Sequence, residues 1–345
     1  MKLSLFFNIL FNVKFIVYGI RCFSFMGLET ELYNSDCSWE QPLEFYMNEL
    51  GKRGFDYVRI PFSGKYIEIG DFSVMDHFFY SAKLNNMSII LDWHRNMNSG
   101  WQGDWLDDLN IEKYFQLYYK LLDRYYMKPE LQVVSLFNEY KGMNFPYWKE
   151  QMEYVVLKME EKYPNRFYWL IGCPQWSGNC RQMDWSNLPF YDRIRLDIHK
   201  YEFSRGPNQE QYEDDWNFSF PKDRNKTIVG EWGFLSDKPE QVEWAKRFVN
   251  WLKQENITDA CFWIGGVSSS GDTGGLWKDC KVFDEMKFDI VKSLWDKDHR
   301  HLQYGCHKKG LWQCIRNEHC CWHLGDGCLQ CYKNNYFLRN NNNGT

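Results

Sequence analysis

Apolar residues recur along the chain in short runs that have the length and composition of β-strands. Between these runs, apolar residues fall at three- and four-residue intervals, which is the spacing of amphipathic helices. The runs predict eight strands, at Phe15–Phe25, Tyr57–Phe62, Met87–Trp93, Gln132–Phe137, Phe167–Ile171, Ile194–His199, Thr227–Trp232 and Ala260–Ile264. The helical spacing predicts helices at Trp39–Arg53, Ile111–Met127, Tyr147–Tyr163, Pro239–Glu255 and Phe283–Trp295.

This alternation predicts an α/β fold, a (β/α)8 TIM barrel at residues 15–297 with a short Cys-rich C-terminal extension. A doubly wound sheet usually has fewer strands. Several runs lack polar alternation, as expected for strands that are buried on both faces. Loops rich in polar residues follow strands three, five and eight, at residues 94–105, 172–180 and 265–275. In a barrel these loops meet at the C-terminal face, where active sites lie.

The N-terminus falls outside the repeating pattern. Residues 1–14 combine a charged start, an apolar run and Lys14, so they are either a signal peptide or an N-terminal extension. The run is too short to span a membrane. Five glycosylation triplets add modest weight to secretion; they begin at Asn86, Asn217, Asn225, Asn256 and Asn343. We therefore expect an extracellular protein without a membrane span.

Six of the 12 cysteines are concentrated near the C-terminus, at Cys306, Cys314, Cys320, Cys321, Cys328 and Cys331. Such a cluster favours a disulfide module or cap at residues 301–332. A zinc site that uses four of these cysteines with His307 or His323 is the alternative. The adjacent Cys320-Cys321 and the single C-x-x-C pair weaken it. Residues 333–345 contain an asparagine run and are predicted to be disordered.

The composition of the chain limits the classes of partner that we expect the protein to bind. The net charge is −5 and there is no basic stripe, so we expect no nucleic-acid partner. Aromatic residues make up 19% of the chain, including 17 Trp. This content suits either an aromatic-rich core or a carbohydrate cleft, in which flat sugar faces stack on the rings.

Polar residues stand at or just beyond the ends of predicted strands. Two of them are glutamates, since Glu139 follows strand four and Glu231 lies near the end of strand seven. The others are Arg59, His94, Asn138, His199, Tyr201 and, at strand eight, the aromatic Trp263. Each residue alone has a structural explanation, such as an ion pair or core packing. Their joint position at strand ends predicts one shared site.

Two facing glutamates are the minimum equipment for cleaving a glycosidic bond. One must be ionised to attack the anomeric carbon, and Arg59 with the Tyr201 hydroxyl would favour the charged form of Glu231. The other must donate a proton, so its pKa must be raised. Asn138 suits the sugar 2-hydroxyl, and His94, His199 and Trp263 would surround the same sugar.

Residues 15–295 resemble glycoside hydrolase family 5, which carries its catalytic glutamates on strands four and seven. The matching segments are Cys22–Thr30, Val58–Ser63, Ile90–Arg95, Phe137–Glu139, His199–Tyr201, Gly230–Gly233 and Ser270–Leu276. The resemblance implies that Glu139 is the acid/base and Glu231 the nucleophile, with the remaining strand-end residues as their support. It also implies a retaining mechanism, with carboxyl groups about 5–5.5 Å apart. No cofactor or metal is expected.

The chain departs from the family pattern at two points. Tyr140 stands where a proline usually follows the acid/base glutamate. The loop after Trp263 begins Ile264-Gly265-Gly266, where polar or aromatic residues are usual.

Five tryptophans fall in or near the loops of the predicted active face: Trp101, Trp105, Trp176, Trp232 and Trp277. We expect two or three of them to be core residues, and we predict substrate contact for Trp101 and Trp176. A line of rings suits an extended β-linked glucan. We expect the substrate to be cellulose or mixed-linkage β-glucan. Mannan, β-1,3-glucan and glycolipid are alternative substrates for the same mechanism.

Two other classes of protein compete with this hypothesis. An inactive glycan-binding relative would be expected to have lost its carboxylates, which this chain keeps. A zinc enzyme could draw on Asp92, His94, His199 and Glu231, but the chain lacks the H-E-x-x-H spacing. We therefore expect a monomeric glycoside hydrolase that acts on a β-glucan.

Overall fold

Eight parallel strands close into a barrel in sequence order, which confirms the predicted (β/α)8 TIM barrel. The computed structural model of the protein describes residues 19–97, 105–106, 109–202, 212–267, 273–295, 320–323 and 327–330. Strands β1 to β8 are Arg21–Ser24, Tyr57–Ser63, Ser88–Arg95, Leu131–Ser135, Tyr168–Gly172, Ile194–Lys200, Thr227–Trp232 and Ala260–Phe262. The first strand pairs with both the second and the eighth, so the sheet has no open edge.

Helices connect the strands. Helices α1 to α8 are Leu43–Lys52, Gly64–Ile69, Ser73–Leu84, Ile111–Tyr125, Phe145–Lys162, Tyr212–Ser219, Pro239–Gln254 and Glu285–Ser293. The five predicted helices correspond to α1, α4, α5, α7 and α8, whereas α2, α3 and α6 were not predicted. A small antiparallel pair, β9 at Trp277–Lys278 and β10 at Val282–Phe283, precedes α8.

Polar side chains fix where several helices begin. The side chains of Asn110, Asn144 and Asp284 accept hydrogen bonds from backbone N–H groups in the first turns of α4, α5 and α8. Each such cap stabilises a helix by about 1 kcal/mol. Helix α4 then buries one face, at Tyr114, Leu117, Tyr118, Leu121, Leu122 and Tyr125. This spacing is the helical periodicity from which the element was predicted.

The inside of the barrel changes from apolar to polar along the strands. One buried cluster takes residues from seven of the eight strands: Ile20, just before β1, with Cys22, Tyr57, Ile90, Val133, Leu170, Ile228 and Cys261. Alternate residues of a strand share a face. Arg59 therefore follows Tyr57 on the same face of β2, and Asp92 and His94 follow Ile90 on β3. The strands thus carry an apolar core at one end and polar side chains at the other.

Three disulfides join the six cysteines that lie outside the C-terminal cluster. Cys22 pairs with Cys261, and Cys37 pairs with Cys280. The third bond closes a short loop after β5, between Cys173 and Cys180. The first two join segments that are 239 and 243 residues apart, so they constrain the unfolded chain strongly.

The chain divides into two compact units, Met1–Leu294 and Trp295–Thr345. In the second unit, β11 at Cys320–His323 pairs antiparallel with β12 at Gly327–Gln330. The predictions for residues 1–14, for residues 333–345 and for most of residues 301–332 lie outside the described residues. Within the described ranges, no helix has the length and apolar character needed to cross a membrane.

Candidate active site

Glu231 lies near the end of β7 and is held by two donors. Arg59 Nη1 donates to its Oε1 at 2.7 Å, and the Tyr201 hydroxyl donates to its Oε2 at 2.8 Å. Burial favours the neutral carboxyl, but the charges of His199, Arg59 and His94 outweigh it and lower the pKa of Glu231. The structure therefore places Arg59 and Tyr201 against the carboxylate that the sequence assigned to them, and the pKa of that carboxylate is lowered.

Glu139 is buried four residues beyond the end of β4, at the same mouth of the barrel. Its backbone takes a φ of 48°, in the left-handed region that few non-glycine residues occupy. His199 Nδ1 lies 2.7 Å from Glu139 Oε1. Burial raises the pKa of Glu139, the charge of Glu231 adds to the rise, and His199 opposes it. The two glutamates are thus shifted in opposite directions.

Both histidines predicted for the site lie beside carboxylates. His94 Nδ1 is 2.7 Å from Asp92 Oδ2 on the same strand. His199 Nδ1 faces both glutamates, since it also lies 3.5 Å from Glu231 Oε2. The pKa of His199 is raised to about 10, because the negative charges of Glu231 and Asp197 overcome a burial effect that lowers it.

Asn138 and Trp263 complete the predicted set. Asn138 Oδ1 accepts from Arg59 Nη2 at 2.7 Å. Its buried Nδ2 has no protein hydrogen-bond partner within the described residues. The Trp263 ring stacks parallel to His94, with ring centroids 5.5 Å apart, and the peptide bond that follows it is cis. Trp263 lies just past β8, which ends at Phe262, so strand eight is shorter than predicted.

Two buried aspartates in the site received no role in glycoside hydrolysis in the sequence analysis, which named Asp92 only as a possible zinc ligand and did not name Asp197. Asp92 Oδ2 lies 3.0 Å from Arg59 Nη2, and Asp197 Oδ2 lies 4.0 Å from the same nitrogen. Each stands two residues before a site histidine, in Asp92-x-His94 and Asp197-x-His199. Because alternate strand residues share a face, this repeated Asp-x-His spacing was the signal that could have found them.

Of the five tryptophans predicted in or near the loops of the active face, one is exposed and three are buried in the described part of the chain. Trp176 lies in the loop after β5 and is 51% exposed, on a segment where Gln175, Trp176 and Ser177 all have φ between 54° and 59°. The Cys173–Cys180 disulfide closes this segment. Three of the other rings are buried core residues, as expected for part of the set: Trp105, Trp232 and Trp277. Trp101 lies outside the described residues.

The two departures from the family pattern have local structural explanations. Tyr140 stacks on Trp148 with ring centroids 4.2 Å apart, so it packs the turn after Glu139 against α5. The residues after Trp263 pass close to other parts of the barrel. A side chain on Gly265 would lie 2.6 Å from the Phe23 ring, and one on Gly266 would lie 2.3 Å from the Asp36 carboxylate.

Within the site, three side chains lie close enough together to hold a metal ion. Ligand atoms of Glu139, His199 and Glu231 lie within 4.8 Å of one another. They are already engaged, however, with each other and with Arg59 and Tyr201. A bound cation would also have to sit beside the buried guanidinium of Arg59. The donor set therefore fits hydrogen-bonded carboxylates better than metal ligands.

The two glutamates lie at the same mouth of a (β/α)8 barrel, one near the end of strand seven and one just beyond strand four. Their pKa values are shifted in opposite directions. This arrangement has the equipment of a glycoside hydrolase. The chain belongs to glycosyl hydrolase family 5, since the family model described as Cellulase (glycosyl hydrolase family 5) matches residues 20–267. This match confirms the family and the enzyme class predicted from the motifs.

Solved structures of low sequence identity share the fold. An endocellulase from Pyrococcus horikoshii, solved in complex with cellotetraose, is 18% identical, with a TM-score of 0.70 over 81% of this chain and 93% of that one. The catalytic domain of the major endoglucanase of Xanthomonas campestris pv. campestris is 17% identical, with a TM-score of 0.70 over 81% and 95%. A Pseudomonas stutzeri endoglucanase is 16% identical, with a TM-score of 0.59 over 79% and 92%. No curated protein sequence matches this chain.

Proposed function

We propose that the protein hydrolyses β-1,4-glucosidic bonds in cellulose or mixed-linkage β-glucan, as an endoglucanase that retains anomeric configuration. Glu231 is the nucleophile that forms a glycosyl-enzyme intermediate. Glu139 is the general acid that protonates the leaving oxygen, and then the general base that activates water.

The observation that carries this proposal is the opposite tuning of two closely spaced glutamates. One oxygen of Glu139 and one oxygen of Glu231 lie within 4.8 Å of each other. Retaining enzymes hold their carboxyl groups about 5–5.5 Å apart, whereas inverting enzymes need about 6.5–9.5 Å to admit a water. The lowered pKa of Glu231 suits a nucleophile, and the raised pKa of Glu139 suits an acid.

The surrounding residues suit a sugar in the site. The unpartnered Nδ2 of Asn138 is a buried donor beside Glu139, and it would meet the sugar 2-hydroxyl. His94 would supply a further hydrogen bond, and Trp263 would offer its flat face. Trp176, half exposed on a disulfide-closed loop, would stack on a sugar beyond the scissile bond. The family and the endocellulase neighbours point to glucan as the polymer.

A substrate panel tests this function. The purified protein is expected to release reducing ends from carboxymethylcellulose and mixed-linkage β-glucan, with little release from mannan or laminarin. Proton NMR of the first products from an aryl β-cellobioside is expected to show the β-anomer before mutarotation. Activity on mannan or laminarin alone would overturn the substrate, and an initial α-anomer would overturn the retaining mechanism.

We also propose that the protein is secreted, because the three disulfides among its described residues need an oxidising compartment to form and persist. Protein isolated from its native source in the presence of a thiol-alkylating reagent tests this. Cys22, Cys37 and Cys173 are expected to remain unlabelled until reductant is added. Labelling of these residues without reductant would contradict secretion.

A further inference from the structure

Asp197 lies on β6, and its carboxylate is fully buried beside two cationic side chains, His199 and Arg59. Its Oδ2 lies 3.4 Å from His199 Nε2 and 4.0 Å from Arg59 Nη2. Within the described part of the chain, Asp197 Oδ2 and His199 Nε2 have no hydrogen-bond partner other than each other. A buried carboxylate is costly unless charges compensate it. The two atoms therefore face each other as an ion pair.

The neighbouring strand leaves room for this carboxylate. Gly230 stands on β7 directly before Glu231, and a Cβ atom at this position would lie 1.9 Å from Asp197 Oδ1. Any side chain here would overlap the Asp197 carboxylate, which would have to shift. The packing of β7 against β6 thus fixes the carboxylate behind His199.

The opposite edge of the His199 ring faces the reacting groups. Its Nδ1 lies 2.7 Å from Glu139 Oε1 and 3.5 Å from Glu231 Oε2. The charged groups around this ring are Asp197 on β6, Glu231 on β7 and Glu139 beyond β4. Arg59 lies against Asp197 and Glu231, with Asp92 beside it, and His94 lies 4.0 Å from Glu231. One imidazole therefore connects Asp197 to both glutamates.

We propose that Asp197 is a positioning residue that keeps His199 protonated on both ring nitrogens, so that one imidazolium serves Glu139 and Glu231 together. The proposal rests on the function proposed above. A neutral ring carries one proton and can donate to only one side. With Asp197 behind it, the ring donates toward the glutamates whichever of them is ionised, as the two steps of a retaining reaction require.

The test compares the wild-type protein with D197N, an isosteric change that removes the charge. Histidine labelled with ¹⁵N reports the protonation of His199, whose signals are assigned by their loss in H199Q. In the wild type the ring is expected to stay protonated beyond about pH 8, well above the ordinary pKa of about 6.5. In D197N its titration is expected to fall by at least about one pH unit.

Kinetic measurements distinguish a positioning role of Asp197 from a purely structural one. The wild type and D197N are compared on an aryl β-cellobioside across pH, and kcat/KM is expected to fall about tenfold or more in D197N. Both limbs of the pH profile are expected to move, because D197N changes the charge that surrounds the two glutamates. D92N is the control: it removes an equal charge, that of the carboxylate beside His94. The pH at which His199 titrates should not change in this variant.

Three results would overturn the proposal: a wild-type His199 that titrates near pH 6.5, an unchanged His199 titration in D197N, or a loss of rate in D197N that is even across pH. If D197N does not fold, the wild-type titration still decides. If the wild type hydrolyses no β-glucoside, the proposed function fails, whereas the NMR comparison continues to test the protonation of His199 by Asp197.

Discussion

Arg59 and Glu231 form an ion pair inside the barrel, with Nη1 and Oε1 separated by 2.7 Å and the arginine side chain fully buried. The same guanidinium contacts Asn138 and Asp92, and lies within ion-pair range of Asp197. One arginine thus compensates three carboxylates that come from three different strands. Burial lowers the pKa of Arg59, but these carboxylates more than reverse the effect and raise it, so the cation is permanent.

Replacing Arg59 by Met is expected to destabilise the fold by about 3–5 kcal/mol, because it leaves buried charges without their partner. Urea unfolding of the variant measures this loss. R21M is the matched control, since the Arg21–Asp56 pair is much more exposed and is worth about 1 kcal/mol or less. Equal stability of R59M and R21M would contradict the role of Arg59 as the central counter-charge.

Exchanging each glutamate for glutamine should separate the two chemical roles. E231Q is expected to lose on the order of 10⁴-fold or more in kcat on every glycoside, because the nucleophile is gone, while oligosaccharide binding remains. E139Q is expected to lose about 10²–10⁴-fold in kcat/KM on a substrate with a poor leaving group. It should lose far less on a dinitrophenyl glycoside, whose leaving group needs no proton. Calorimetric binding and the two substrates provide the measurements, and the reverse pattern would exchange the assigned roles.

The pKa shifts predict a bell-shaped dependence of kcat/KM on pH. Glu231 must be ionised, and because its pKa is lowered, activity should persist below its ordinary range of about 4.3. Glu139 must be protonated, and because its pKa is raised, activity should be lost only as pH rises past that range. In Y201F the donor to Glu231 Oε2 is missing, so the acidic limb should rise by up to about one unit while the alkaline limb stays. A Y201F profile with both limbs in place would show that this hydrogen bond does not tune Glu231.

Trp176 is expected to contribute binding rather than chemistry. W176A should raise KM for cellotetraose or longer oligosaccharides by about tenfold, the equivalent of a stacking contact worth about 1–1.5 kcal/mol. The kcat for a short aryl glycoside should hardly change. Y80A serves as the control, because Tyr80 is similarly exposed but lies on helix α3. Identical kinetics of the two variants would remove Trp176 from the substrate path.

The barrel was predictable because its strands are buried on both faces and stand out as apolar runs. Strand β7 has the predicted bounds, and β2 to β6 differ from them by one or two residues. Strand β1 is shorter than predicted, and it begins at Arg21. The missed helix α2 has six residues, too few for a periodic pattern. It begins at Gly64, directly after Ser63, whose side chain caps it. Helix α3 was missed although its buried positions have helical spacing.

The sequence predicted most of the residues that form the site, but not the contacts between them. Strand-end position identified residues that the structure brings together at one mouth of the barrel. It could not show that Asp92 and Asp197 reach Arg59, because that contact depends on how β2, β3 and β6 are staggered around the barrel. Nor could it show that Glu139 would adopt a left-handed backbone, which depends on the turn that Tyr140 packs against Trp148.

The Cys22–Cys261 bond joins neighbours on the first and last strands of the barrel, where the two residues are paired in register. The polypeptide between them is therefore a covalent macrocycle that threads through all eight strands. A protease that cuts one exposed loop within this ring opens the circle without releasing a fragment. The nicked molecule should migrate as a single species until reductant is added, so a single cut would not separate the strand that carries Arg59 from the strand that carries Glu231.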